Sequence, residues 1–245
     1  ANKSGKLSEN ELADILSTAD VAGVEIIDTA QAYGDSEARL GTLGGNYRFK
    51  IVTKIGIDLE KDYLKGSISG LVEQSCKRLN KRRLHAVLLH RPEVLLGDKG
   101  STIVRELHSL KDQNIIDKIG ISIYSPDILD TISKLFQFDI VQAPFNIFDQ
   151  HLMSSGWSDK LKEKGVKIHT RSVFLQGLLL MKQPSLHAFF SNNWPDLFND
   201  WYKFLNNNMV DALEVALGFA LNQDWIDKIV VGVDNVSQLK ALVEI

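Results

Sequence analysis

Three polar residues stand where successive apolar stretches of the sequence end, and a fourth follows shortly after the first of them; their types suit proton donation to a carbonyl group. Asp28, Lys54 and His90 each follow directly on such a stretch, and Tyr33 comes five residues after Asp28. A tyrosine hydroxyl has a pKa of about 10, too high for an effective acid at neutral pH. A nearby ammonium group lowers that pKa by favouring the phenolate, and a carboxylate beside the ammonium keeps it charged and in place. A histidine can orient the carbonyl oxygen or share the proton.

Each of the four residues also has a purely structural interpretation. Asp28 and Lys54 can form an ion pair at the ends of neighbouring strands, and His90 can be a hydrogen-bonded core histidine. For any one residue taken alone, the structural interpretation is the better one. Four reactive side-chain types at adjacent strand ends favour a functional site instead.

The apolar stretches that carry these residues are short and rich in β-branched side chains, which indicates strands. They alternate with longer helical patterns, and the first helix opens with a capping box of Ser8 and Glu11. This alternation predicts a parallel sheet with helical crossovers, and the nearly continuous apolar strands predict that both its faces are covered. The predicted strands span residues 24–27, 49–53, 86–89, 118–122, 139–142, 166–170 and 228–231, and the predicted later helices span about 36–43, 63–80, 100–113, 125–136, 154–164 and 209–223.

A single α/β domain, a (β/α)8 TIM barrel over residues 1–245, is the fold that this order of elements predicts. Such a barrel has eight strands, whereas the sequence supplies seven and opens directly with a helix. The first strand is therefore expected to be missing from this chain. Because its absence would leave two parallel edges unpaired, we expect an upstream strand in the natural protein.

A long aromatic segment interrupts the alternation after the sixth strand. A long βα loop is a usual place for a substrate-contacting insertion. A pair of short helices that pack their rings on the barrel is an equally open interpretation. The aromatic residues of this segment, within 186–204, are Phe189, Phe190, Trp194, Phe198, Trp201, Tyr202 and Phe204.

Composition and charge exclude several other classes of protein. The 245 residues carry 28 Lys and Arg against 31 Asp and Glu, and the formal net charge of −3 predicts no nucleic-acid partner. No apolar run approaches the roughly 18 residues of a membrane span, and the polar N-terminus has no signal-peptide core. The single cysteine, Cys76, predicts a reducing, cytoplasmic location. No histidine has a partner at metal-ligand spacing, so we expect no metal, while the oligomeric state stays open.

The local motifs are more specific than the residue types. Ile-Ile-Asp-Thr-Ala-x-x-Tyr-Gly-x-Ser-Glu at 26–37, Val-Thr-Lys at 52–54 and Leu-Leu-His-Arg-Pro at 88–92 closely resemble the aldo-keto reductase superfamily. The motifs at 119–122, 141–146, 176–179 and 230–235 are similar to later strand motifs of that family. The resemblance runs from about residue 5 to the C-terminus.

The resemblance implies a (β/α)8 barrel that transfers hydride, without a metal, between a nicotinamide cofactor and an aldehyde, ketone or alcohol. Tyr33 would be the general acid and Lys54 would depress its pKa. Asp28 would pair with Lys54, and His90 would position the carbonyl group. The sequence has no G-x-G-x-x-G motif, which suits a barrel rather than a Rossmann domain.

The same resemblance implies a set of cofactor-binding residues. Ser122 and Gln142 would lie near the carboxamide of the nicotinamide, and Ser172 near the pyrophosphate. Arg171 stands where the family commonly has an aromatic residue that stacks on the nicotinamide, and a guanidinium plane can also stack or reach phosphate. The residues implied around the adenosine end are Gly232, Ser237 and Gln238.

Other departures from the family pattern concern the nucleotide. Ile123 replaces an asparagine and removes an amide donor, and Leu242 replaces another asparagine. Asp234 stands where the family often has a basic residue for the 2′-phosphate of NADP(H). A carboxylate beside a phosphate is unfavourable, so NAD(H) becomes about as well supported as NADP(H).

Three functional hypotheses follow. The first is an oxidoreductase that reduces a small-molecule carbonyl substrate, with sugars, sugar-derived aldehydes and small aldehydes all open. The second is a nicotinamide-nucleotide-binding barrel that acts as a regulatory or sensor subunit without turnover, because fold does not determine function. The third is an inactive shortened chain. The set of Asp28, Tyr33, Lys54 and His90 favours the enzyme.

Overall fold

The computed structural model describes residues 5–56, 68–182 and 188–245. Two predictions extend beyond these ranges. The start of the predicted helix at 63–80 and the first two residues of the aromatic segment at 186–204 lie outside the described residues.

The described residues form a seven-stranded parallel sheet in which neighbours along the chain are also neighbours in the sheet. The predicted strands are confirmed, with shifted ends: the first begins two residues later than expected and includes Asp28 itself. The seventh strand keeps only the first half of its predicted range. The strands are β1 Ile26–Asp28, β2 Lys50–Ile55, β3 Leu84–Leu89, β4 Ile116–Ser122, β5 Ile140–Pro144, β6 Lys167–Arg171 and β7 Lys228–Ile229.

Helices connect successive strands, as parallel pairing requires. The capping box at Ser8 and Glu11 is present at the start of the first helix. The predicted helix at 154–164 is interrupted at Gly156, which has a left-handed φ of 73°. The helices are α1 Glu9–Val21, α2 Ser36–Leu43, α3 Ile68–Leu79, α4 Gly100–Asp112, α5 Leu129–Leu135, α6 His151–Ser154, α7 Trp157–Glu163, α8 Ala188–Asn193, α9 Pro195–Asn208, α10 Ala212–Leu221 and α11 Val236–Val243.

The two outer strands of the sheet approach each other without pairing. Lys228 of β7 contacts Glu25, the residue before β1, with 3.1 Å between Nζ and Oε2. Helix α1 packs against α11 across the same boundary. An apolar groove of about 320 Å³ lies there, with Val24, Ile229 and Leu239 among its lining residues. The sheet is therefore a curled seven-stranded sheet, consistent with a (β/α)8 barrel that lacks a strand.

The inner face of the sheet carries a small apolar core directly beneath the strand ends. Alternate residues of a strand share a face, so the residue two positions after each core residue also points inward. Gly120 allows the strands to approach closely here, because a Cβ atom would lie 2.6 Å from the Ile140 carbonyl oxygen. This core consists of Val52, Ala86, Leu88 and Ile140 with Ile26 packed against it, and the residues two positions further on are Lys54, Leu88, His90, Gln142 and Asp28.

The aromatic segment forms a pair of helices, α8 and α9, as one of the two interpretations anticipated. Phe198, Trp201 and Tyr202 of α9 are buried against Leu179. The indole N–H of Trp201 donates a hydrogen bond to the Leu179 carbonyl oxygen at 3.1 Å. In the described ranges, no helix combines the length and apolarity needed to cross a membrane.

Candidate active site

A buried ion pair lies at the centre of the strand ends. Lys54 of β2 is 1 % exposed, and its ammonium group donates hydrogen bonds to the Asp28 carboxylate and to the Thr29 carbonyl oxygen. The other carboxylate oxygen of Asp28 accepts a hydrogen bond of 2.7 Å from Nε2 of Gln142. Burial lowers the pKa of Lys54, and the negative charge of Asp28 opposes that shift. One carboxylate thus links β1, β2 and β5.

The structure brings Tyr33 and His90 to the same place. Tyr33 lies in the turn after β1 and is half exposed, and its ring meets the His90 ring edge-on, with 6.0 Å between centroids. The Lys54 ammonium group lies 5.3 Å from the centroid of the Tyr33 ring. All four strand-end residues singled out in the sequence are therefore neighbours, and a carbonyl group entering from solvent can reach the Tyr33 hydroxyl.

The pKa of Tyr33 shifts in the opposite direction to the sequence-based expectation. Burial raises the pKa of Tyr33 most, the charge of Asp28 raises it further, and Arg171 lowers it. Lys54 was expected to lower this pKa, but Asp28, in direct contact with Lys54, has the larger effect on the phenol and outweighs the ammonium group. The cation that does favour the phenolate is Arg171.

The pKa of His90 is lowered, first by burial and then by the positive charges of Lys54, Arg171 and Arg91. Because the ordinary pKa of histidine is about 6.5, the His90 imidazole is neutral at pH 7. A neutral imidazole has one nitrogen that donates and one that accepts a hydrogen bond. His90 can therefore hold a carbonyl oxygen without adding a formal charge to the site.

Buried polar contacts fix the segment that carries Tyr33. Glu37, in the first turn of α2, is almost fully buried and accepts hydrogen bonds of 2.7 Å from the Thr53 hydroxyl and from Nε of Arg78. Upstream of Tyr33, the Gln31 side chain donates 2.8 Å hydrogen bonds to Ser75 and to the Leu71 carbonyl oxygen of α3. The turn is thus tied to β2 and α3 on both sides of Tyr33.

Three of the residues implied to bind cofactor lie beside this cluster. Gln142 is fully buried, and its Oε1 has no hydrogen-bond partner among the described residues. Ser122 is buried at the end of β4. The Arg171 guanidinium donates to the Ile123 carbonyl oxygen at 3.0 Å and lies 4.6 Å from the centroid of the Tyr124 ring.

A cavity of about 880 Å³ adjoins the cluster, and most of the other residues implied to bind the cofactor line it. Ser172, Gly232 and Gln238 line it, together with Asp211 and Asp234. Arg171 connects the cavity to the cluster, because its Nη1 donates to the Ser172 hydroxyl at 3.3 Å. The residues that line the cavity within the described part of the chain include no Lys or Arg.

Ser237 stands apart from the other implied cofactor-binding residues. It is not among the described residues that line the cavity, and its hydroxyl donates a 2.6 Å hydrogen bond to the Asn235 side chain. Asn235 in turn caps α11. In this structure Ser237 therefore supports the cap that begins α11.

Three residues at the site were not singled out in the sequence as candidates. Tyr124 lies two positions after Ser122 and so continues the series of residues of β4 that face inward. The alternation of faces along a strand could have identified it from the sequence. Asn146 is fully buried and donates a 3.1 Å hydrogen bond to the Ser172 carbonyl oxygen, which holds the turn after β6. Asp211 caps α10 and lines the cavity, and no sequence pattern connects it with Asp234.

No group of three or more His, Cys, Asp or Glu side chains in the described part of the chain is arranged to hold a metal ion.

The parallel α/β sheet with polar side chains gathered at the carboxyl ends of its strands defines a barrel-type enzyme site. The profile of the aldo/keto reductase family matches residues 1–245. The chain belongs to the aldo/keto reductase family and is an oxidoreductase of that family, which confirms the resemblance found in the sequence.

Two relatives and one solved structure illustrate the relationship. D-arabinose 1-dehydrogenase of Saccharomyces cerevisiae is 26 % identical over 250 residues, covering 94 % of this chain and 74 % of the relative. Aldo-keto reductase YhdN of Bacillus subtilis is 26 % identical over 251 residues, covering 91 % and 75 %. The holo form of aldo-keto reductase AKR11C1 from Bacillus halodurans matches in fold with a TM-score of 0.78 at 22 % identity, covering 98 % of this chain and 82 % of that one.

Proposed function

We propose that this protein reduces a small aldehyde or ketone to the alcohol with a nicotinamide cofactor, and that Tyr33 is the general acid. The observation that carries the proposal is the meeting of Tyr33, His90 and the Lys54–Asp28 pair at the strand ends. The yeast relative is named as a dehydrogenase of a sugar, which adds support for carbonyl and alcohol chemistry on a polyhydroxylated substrate.

The residues present fit a nicotinamide cofactor. Buried polar atoms almost always have a hydrogen-bond partner, so the partnerless Oε1 of Gln142 calls for a donor from a bound molecule. The carboxamide N–H of a nicotinamide is such a donor, and Ser122 lies on the neighbouring strand to meet the same group. The adjoining cavity of about 880 Å³ offers room for the rest of the nucleotide. When bound, the nicotinamide supplies the hydride.

The protein's own residues supply the proton and stabilise the developing negative charge. The raised pKa makes Tyr33 a weaker acid than a free phenol, but its hydroxyl is protonated at neutral pH, and because an alkoxide is far more basic than a phenolate, proton transfer to the substrate oxygen is still favourable. His90 holds the carbonyl oxygen by a hydrogen bond. The Lys54 ammonium group, held in place by Asp28, is a preorganised positive charge near the developing negative charge.

For the cofactor we propose NAD(H) in preference to NADP(H). Asp211 and Asp234 line the cavity, and no Lys or Arg of the described ranges lines it with them. Two carboxylates repel the 2′-phosphate that distinguishes NADP(H). Titration of the protein with NADH and with NADPH, followed by quenching of tryptophan fluorescence, tests this preference. Equal or tighter binding of NADPH would contradict it.

Replacing Tyr33 by Phe tests the general acid. Turnover of aldehydes, followed by oxidation of NADH, should fall about 100- to 10,000-fold, while the fluorescence titration with NADH stays nearly unchanged. Tyr47→Phe is the matched control, because Tyr47 packs against Phe49 just before the amino end of β2, at the opposite end of that strand from the site. Parental turnover in Tyr33→Phe would eliminate Tyr33 as the acid. Nucleotide binding without any turnover by the parent would favour the regulatory or sensor alternative.

A further inference from the structure

Arg171 is a cation at the mouth of the site whose charge no neighbouring carboxylate balances. It ends β6, and its guanidinium donates to the Ile123 carbonyl oxygen and to the Ser172 hydroxyl. Both acceptors are uncharged. Within residues 5–56, 68–182 and 188–245, no carboxylate forms an ion pair with Arg171, in contrast to Lys54 beside it.

The guanidinium is held in one place before any substrate arrives. The Tyr124 ring covers it at 4.6 Å, and the hydrogen bond to Ile123 fixes its orientation. A guanidinium has five N–H donors, and two of them account for these contacts. Tyr124 is 70 % exposed, so the guanidinium lies beneath a ring that borders solvent. The other N–H groups of Arg171 can therefore donate hydrogen bonds to an oxyanion.

The charge of Arg171 acts on the groups that would handle the carbonyl. Arg171 ends β6 beside Pro144, two residues beyond Gln142 on β5, and its charge lowers the pKa of Tyr33 and contributes to the lowered pKa of Lys54 and His90. Arg91, exposed beside His90, adds a second positive charge. Arg171 and Arg91 thus add two positive charges beside the Lys54–Asp28 pair, although the whole chain carries a formal charge of −3.

We propose that the site selects carbonyl substrates that carry a second, anionic group, a carboxylate or a phosphate, and that Arg171 is the residue that recognises this group. This inference rests on the proposed reductase function and specifies its substrate class. The reacting carbonyl lies at Tyr33 and His90, and the anionic group of the same molecule binds the guanidinium. Neutral aldehydes of equal size lack this contact and bind more weakly.

Matched substrate pairs test the selection. The purified protein is given NADH with butanal or with 4-oxobutanoate, which differ by a carboxylate, and with glyceraldehyde or its 3-phosphate. The anionic member of at least one pair should have a kcat/KM about 10- to 100-fold higher, mainly through KM, as expected for charge-assisted hydrogen bonds. Which pair shows the larger ratio distinguishes carboxylate from phosphate. The preference should shrink as ionic strength rises.

The variant Arg171→Gln separates substrate recognition from a role in cofactor binding. It should bring the ratio of kcat/KM between the anionic and the neutral member of each pair close to one, and this ratio reports substrate recognition whatever the variant does to overall turnover or to the affinity for NADH. Arg105→Gln, which removes an exposed arginine on α4, is the control for net charge and should leave the preference intact. An equal loss for neutral and anionic substrates, accompanied by weaker NADH binding, would overturn the proposal.

The remaining outcomes distinguish this proposal from the function on which it rests. If the parent reduces neutral and anionic aldehydes equally well, the reductase stands and the anion selection is wrong. If the parent reduces none of them, the proposed reductase fails. Calorimetric titration with 4-hydroxybutanoate and with 1-butanol then tests recognition without turnover. Binding of the acid alone, lost in Arg171→Gln, supports the anion site, and binding of neither overturns it.

Discussion

Removal of the Asp28 charge should destabilise the fold strongly, because it leaves the buried Lys54 ammonium group without its counter-charge. The two side chains are 12 % and 2 % exposed, so water cannot replace the lost partner. Breaking a buried ion pair by removing one member costs about 3–5 kcal/mol. The Thr29 carbonyl oxygen still accepts a hydrogen bond from Lys54, which places the loss for Asp28→Asn near the lower end, about 3 kcal/mol.

Denaturant unfolding at pH 7 measures this loss, and the thermal midpoint should fall by about 6–12 °C. Asp224→Asn is the matched control, because Asp224 forms an exposed pair with Lys162 at 2.7 Å and should show no measurable change. The double variant Asp28→Asn with Lys54→Met should recover part of the loss, since it removes the uncompensated charge as well.

The pH dependence gives an independent check on the same argument. Without the Asp28 charge, the pKa of Lys54 falls further, because the attraction of that charge is the largest effect that counteracts the lowering by burial. The unfolded chain then binds more protons than the folded one up to about pH 10.4, so the free energy of unfolding rises with pH. This rise should be steeper in Asp28→Asn than in the parent. A loss under about 1 kcal/mol, with parallel pH profiles, would refute the account of the buried pair.

Three further predictions concern residues around the site. Burial lowers the pKa of His169 to about 4, so the free energy of unfolding should increase by about 3 kcal/mol between pH 4 and 6.5, a contribution absent from denaturation profiles of His169→Gln. Glu37→Gln should lower the free energy of unfolding by about 1–3 kcal/mol, and also turnover, because it loosens the turn that carries Tyr33; an unchanged turnover would contradict that link. Gly120→Ala should cost about 1–3 kcal/mol in denaturant unfolding, whereas Gly44→Ala, where a Cβ meets nothing within 4 Å, should be neutral.

The strand ends could be predicted from the sequence because they depend on local patterns. The strands are short, nearly continuous apolar stretches that end at Asp28, Lys54 and His90, and a parallel sheet places the residues at the ends of its strands along one edge. The interruption of a predicted helix at Gly156 was missed, because the apolar pattern continues across it.

The electrostatic properties of the site could not be predicted in the same way. The pKa of Tyr33 depends on its burial, on the pairing of Lys54 with Asp28 and on the approach of Arg171, none of which is local in sequence. The cavity joins Ser172 and Asp211, from the two ends of the long connection before β7, with Asp234, which follows β7. The partnerless oxygen of Gln142 likewise becomes visible only when its surroundings are in place.

The strictly sequential order of the strands has a consequence for how the protein folds. Each of β2 to β7 pairs with the strand made just before it, so the sheet can grow while the chain is being synthesised. β7 differs, because residues 172–227 separate it from β6, whereas residues 29–49 separate β2 from β1. Closing the longer connection costs about 1 kcal/mol more in chain entropy. With only two paired residues to offset that cost, β7 is expected to dock last and to be the first strand whose amide hydrogens exchange with solvent.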